Sequence, residues 1–179
     1  MKRIVCVALI CAAVATGVAA RQKTTPMHPG AGGSPHVRTE WTVAGANIWI
    51  EYGRPYVKGR TIGKELVPNG FVWRLGADEA TTLKSSKALT FGTLTVPAGE
   101  HTLWVMPSAT GWQLIVNKET GIGGTEYDQS RDLGRVPMKL ETLAPPAEQL
   151  TIAIDPQPGG GVLRVEFGTA KATVPFIVR

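Results

Sequence analysis

The feature that most constrains this chain is a two-residue hydrophobic period, interrupted at short intervals by glycine, proline and asparagine. Ile48, Ile50 and Tyr52 alternate with Trp49 and Glu51, and Trp112, Leu114 and Val116 alternate with Gln113, Ile115 and Asn117. Successive side chains of a strand point to opposite faces, so this period predicts half-buried strands. Similar runs occupy residues 71–75, 81–84, 89–96, 102–106, 136–143, 150–154, 162–167 and 172–178. Turn signals separate them at Asn69-Gly70, Ala98-Gly99, 108–111, Pro145-Pro146 and Gly159-Gly160-Gly161. After Ala20 no window free of Gly and Pro repeats apolar residues at helical spacing, and at most one short helical turn is predicted, at 129–133. Parallel pairing needs crossovers of a dozen or more residues, which this spacing does not provide. The expectation is therefore an all-β domain, an antiparallel two-sheet β-sandwich of jelly-roll-like character with little or no helix. Pro137 and Pro175 fall inside strand-like runs and should sit at edges or bulges, because proline donates no ladder hydrogen bond. The last run, 174–178, is a candidate unpaired edge. With 179 residues, 43% of them hydrophobic, the chain suffices for one core, expected over 37–179.

The N-terminus reads as a processing signal. Lys2 and Arg3 precede an apolar stretch at 4–15, and Val18-Ala19-Ala20 supplies small residues for cleavage. The stretch is shorter than the roughly 20 apolar residues a membrane span needs. A secretory signal peptide over 1–20, a secreted or periplasmic address and no stable membrane insertion are the expectation. Both cysteines, Cys6 and Cys11, lie in that segment, so a chain cleaved there would have no disulfide, cysteine-bound zinc or cysteine nucleophile. Residues 21–36, rich in Gly, Pro and Thr, read as a flexible leader. The formal charge of +5 falls to +3 once Lys2 and Arg3 leave, too little to imply a nucleic-acid partner.

Familiar catalytic motifs fail. Gly59 to Gly63 holds three intervening residues where a phosphate loop needs four, and Glu65 stands where Ser or Thr would hold magnesium. Gly121-Ile122-Gly123-Gly124 opens no helix, and Gly33-Ser34-Pro35 lacks the second glycine of a nucleophile elbow. His28 and His36 belong to or border the leader and His101 follows a turn, so no metal site and no cofactor are expected, and His101 reads as solvated. Asp78 and Glu79 are adjacent and would face opposite sides of a strand; only a turn would bring them together.

One region is locally basic: Arg54, Lys58, Arg60, Lys64 and, further on, Arg74, interleaved with Tyr52, Tyr56 and Trp73. Aromatic rings beside guanidinium groups can stack a planar ligand or hold an anion. Solvated charges around core aromatics are the competing reading.

The runs Tyr52-Gly53-Arg54-Pro55-Tyr56-Val57-Lys58-Gly59-Arg60 and Trp73-Arg74-Leu75-Gly76-Ala77-Asp78-Glu79-Ala80-Thr81-Thr82 resemble the family called domain of unknown function 2911. Val96-Pro97-Ala98-Gly99-Glu100-His101 and Trp112-Gln113-Leu114-Ile115-Val116-Asn117-Lys118 extend the resemblance to roughly 37–154. It implies a secreted or periplasmic β domain and brings no activity. Asp78 stands where the family often has Asn. Matching polar residues give the candidate ligand site: Arg54, Lys58, Arg60, Trp73, Arg74, Asp78, Glu79, Asn117 and Arg135, with a structural Arg74–Glu79 ion pair as the alternative. The leading expectation is a non-catalytic envelope domain that binds a glycan, peptide or anion. Its alternatives are a hydrolase-like enzyme using Asp78, Glu79 or His101, and a structural or assembly partner.

Overall fold

The computed structural model describes residues 22–179, so the expected signal peptide lies outside the described residues. The described chain is all-β, with two short 3-10 turns, Ala31–Gly33 and Gln129–Arg131. The second lies where the sequence predicts a helical turn. The strands are β1 (Lys23–His28), β2 (His36–Val43), β3 (Ala46–Gly53), β4 (Thr81–Ser85), β5 (Leu89–Phe91), β6 (Leu94–Val96), β7 (Gly99–Ser108), β8 (Gly111–Asn117), β9 (Asp132–Gln157) and β10 (Gly160–Val178).

They form one antiparallel ladder in the order β1-β2-β3-β4-β7-β8-β9-β10-β5-β6, open at β1 and β6. Two separate sheets are not what the pairing shows, because β9 is long enough to pair twice. Its start lies along β8, from Asn117↔Asp132 to Trp112↔Met138, and the rest lies along β10. The ladder curls around one core, and the Tyr52 hydroxyl of β3 accepts the Ile152 N–H of β9 at 2.9 Å. Runs expected as separate strands on either side of Pro145-Pro146 belong to this one strand. The two prolines behave as expected: Pro137 lies where β9 has only β8 beside it, and Pro175 falls between the Thr173↔Lys139 and Ile177↔Thr90 pairs. The C-terminal run is not a free edge, since Ile177 and Val178 pair with β5.

Alternation holds in β3, where Ile48, Ile50 and Tyr52 are buried and Trp49 stays on the outer face beneath the Arg38 guanidinium, 4.4 Å from the ring. It misleads in β8. Ile115 is as buried as Leu114, because Trp104, Ala80, Val72, Met106, Ile122 and Tyr127 build a second apolar cluster on that face. Residues 71–75 make only one bridge, Trp73↔Val105, rather than a strand.

The flexible-leader reading needs correction. Lys23–His28 pairs antiparallel with β2 in the register Lys23↔Glu40 to His28↔His36, with a bulge between Pro26 and His28. Backbone pairing along a sheet edge satisfies polar groups without requiring apolar side chains, so low hydrophobicity did not prevent this strand. Among the described residues no helix is long and apolar enough to cross a membrane.

Candidate functional site

The site forms around the segment that joins β3 to β4. Leu75 and Asp78 both take left-handed backbone, φ 54° and 62°, and the fully buried Leu75 side chain anchors the turn. Asp tolerates that conformation, whereas for Leu it is strained and must be imposed by its surroundings. Because of this turn, Asp78 and Glu79 do not follow the opposite-face geometry of a strand. Their carboxylates both approach His36 Nε2, at 3.1 and 3.3 Å.

On one side lies a cleft of about 400 Å³. Its polar lining includes Lys58, Arg60, Arg74 and Asp78, and Tyr56, Trp73 and Phe167 supply aromatic wall. Trp73 is fixed by stacking on Phe167, 6.0 Å between centroids, and by an edge contact with Trp112. Residues Ala31, Gly32, Gly33 and Ser34 form another wall, held by the Ala31 N–H donating to Asp78 Oδ2 at 2.9 Å. Arg60 is turned by its own loop, donating to the Val57 and Tyr56 carbonyls at 3.1 and 2.7 Å. Arg74 makes a single long bond, Nη1 to the Asp78 carbonyl at 3.4 Å. Among the described residues the side chains of Lys58, Arg60 and Arg74 form no ion pair, in contrast to Arg38, Arg131, Arg135 and Arg164, although the Lys58 backbone N–H donates to Glu148 Oε1 at 2.9 Å. The expected Arg74–Glu79 pair is not formed, because Glu79 turns to His36 instead.

The other side of the turn is a smaller cavity of about 220 Å³, whose lining includes His28, His36, Glu51, Tyr52 and Glu79. His28 and His36 are register partners and their rings stack with centroids 4.1 Å apart. Glycine at position 53 makes room for the buried ring, since a Cβ there would lie 2.6 Å from His36 Nε2. A metal site was not expected from the sequence. The structure nevertheless gathers one ligand atom each from His28, His36 and Glu79 within 4.8 Å of one another.

Of the nine residues singled out in the sequence, Lys58, Arg60, Trp73, Arg74 and Asp78 share the cleft, and Glu79 lies just beyond it. Three lie elsewhere. Arg54 staples the end of β3 to β9, donating to the Leu150 carbonyl at 2.9 Å and Thr151 Oγ1 at 3.1 Å. Asn117 donates to the Asp128 carbonyl and Asp132 Oδ1, and Arg135 donates to Asp132 and the Tyr127 hydroxyl. Burial, aided by the Asp132 carboxylate that accepts its hydroxyl hydrogen, pushes Tyr127 up to about 12. His101 corrects another expectation. It is buried in β7 opposite Leu83, burial lowers its pKa, and it lines neither cavity.

Sequence reasoning missed Phe167, His28, His36 and the 31–34 wall. Phe167 comes from β10, far along the chain. The histidines were obscured by the leader reading, although the Gly30 to Gly33 run between them is a hairpin signal.

A family model described as "Protein of unknown function (DUF2911)" matches residues 34–176. No curated protein and no solved structure matches the chain. The matched span takes in β2 to nearly the end of β10 and every cleft cation, but not β1. On that coverage the chain belongs to the DUF2911 family of proteins of unknown function.

Proposed function

We propose that this chain is a non-catalytic binding domain of the cell envelope, exported by its N-terminal segment, and that its cleft takes an anionic ligand with a flat or apolar portion. The observation that carries this reading is the convergence of three cationic side chains, Lys58, Arg60 and Arg74, on one cleft that Asp78 also lines, with none of the three held in an ion pair among the described residues. Cations left unpaired in a concave, partly apolar site attract an anion more strongly than the same charges on an open surface. Arg74, half-buried with most of its fork uncommitted, can offer paired donors to a carboxylate, phosphate or sulfate group. Trp73 and Tyr56 provide a face for a sugar ring or a peptide side chain. Acidic glycan fragments and acidic peptides are the ligand classes this lining favours. The scaffold reads as sandwich-like, because the curled ladder brings β3 against β9.

The test is thermal unfolding of the purified protein with glucuronate, inorganic phosphate, peptidoglycan fragments and acidic peptides, with neutral sugars as controls. A ligand present at 100 times its dissociation constant stabilises by about 2.7 kcal/mol. Acidic ligands should raise the melting temperature, the rise should shrink with added salt, and Arg74→Ala should abolish it in a protein that still folds. Equal responses to neutral and acidic sugars, or a response unchanged in Arg74→Ala, would refute the reading.

A further inference from the structure

We propose that His28, His36 and Glu79 form a binding site for a divalent transition metal of the zinc class, with Asp78 bordering it. The geometry fits. Zinc bonds of about 2.0–2.1 Å place neighbouring tetrahedral ligands roughly 3.3 Å apart, and Glu79 Oε2 stands 3.3 Å from His36 Nε2. His28 brings the third ligand atom, with all three inside 4.8 Å. Asp78 Oδ2 also lies 3.1 Å from His36 Nε2.

The charge arrangement points the same way. Two carboxylates converge on one buried ring nitrogen, which without a metal can offer only a single proton to both. A divalent cation at that point answers both carboxylates at once. Two imidazoles and a carboxylate suit zinc and its transition-metal neighbours, whereas magnesium and calcium prefer oxygen ligands throughout. Binding requires the exposed His28 to turn: its ring stacks on His36 with centroids 4.1 Å apart, so the in-plane lone pairs of the two rings converge on one ion only after His28 leaves the stack and gives up the hydrogen bond from the Gly30 N–H to Nδ1 at 3.2 Å. His36 is fixed by burial, and glycine at 53 leaves it space.

The site also has an architectural consequence. His28 comes from β1, His36 from β2 and Glu79 from the turn beside the cleft, so the metal clamps the edge hairpin to that turn. The matched family span begins at residue 34, which means that one ligand comes from a segment outside it.

Zinc is titrated into the untagged protein by calorimetry, and cobalt is used for visible spectroscopy. One ion per chain should bind, with cobalt giving the visible absorption of an imidazole and carboxylate site. His28→Ala and Glu79→Gln should each weaken zinc roughly tenfold or more, without changing the circular dichroism of the metal-free protein, since both side chains are exposed. Arg74→Ala should bind zinc normally, which separates this site from the anion cleft. Absence of stoichiometric zinc binding at micromolar concentration would overturn the proposal, as would zinc affinity unaltered in both His28→Ala and Glu79→Gln.

Discussion

Two arginines of this domain carry the same charge and are held in opposite ways. Arg135 donates through Nε and Nη2 to Asp132 Oδ2 at 3.0 and 2.8 Å, and Nη2 also reaches the Tyr127 hydroxyl at 2.7 Å. Asp132 in turn accepts from Asn117 and Tyr127, so four side chains close one network where β8 and β9 meet. Arg74 has one long bond to a carbonyl and no carboxylate, and it opens onto a cleft. The first arrangement spends its hydrogen-bonding capacity on the fold, and the second leaves most of it uncommitted within the chain. The two arginines thus differ in whether the chain itself supplies a carboxylate partner.

Asp132→Ala should break the closed side most severely. It leaves Arg135, Tyr127 and Asn117 without their shared acceptor, and only 12% of the Asp132 side chain is exposed. A loss of about 3 kcal/mol is expected in urea unfolding; a loss below about 1 kcal/mol would mean that solvent replaces the network. Gly124→Ala tests the open side next. A Cβ there would collide with Arg74 Cδ and lie 2.6 Å from the Asp78 carbonyl. The expected cost is about 1–3 kcal/mol, together with weaker anion binding as Arg74 is displaced.

The closed network also makes a pH prediction. Tyr127 is raised to about 12 in the folded protein, against about 10 when unfolded. Its contribution to stability is therefore complete below about pH 10 and lost as pH rises through about 12. Alkaline unfolding should show this decline, and Tyr127→Phe should remove part of it. An unchanged profile in that variant would assign the decline to another group, such as Tyr52, which burial also raises. Arg74→Ala should have the smallest effect on stability, below about 1 kcal/mol in chemical denaturation, because no ion pair is lost. A cost of several kcal/mol would place Arg74 with Arg135 as a structural residue.

Much of the fold was legible because strand period and turn chemistry are local. The 108–111 and 159–161 turns close the β7–β8 and β9–β10 hairpins as expected. Two features were not legible. Ile115 looks like an outward residue until the 119–128 loop and Trp104 cover it. Segment 21–36 looks like a leader because edge pairing leaves no hydrophobic trace. The cleft was partly legible, since Lys58, Arg60, Trp73 and Arg74 lie close in sequence within a basic and aromatic stretch. Arg54 belongs to the same stretch, yet its side chain ends on β9.

The sequence by itself determined the all-β class, the family, the main hairpins and the loop that carries the basic residues, each written in residues near one another along the chain. Only the tertiary structure decided that the strands run as one open ladder, which arginines are paired, and that His28 and His36 meet Glu79. Those outcomes depend on long-range register and on a left-handed turn at Asp78, which local periodicity does not encode.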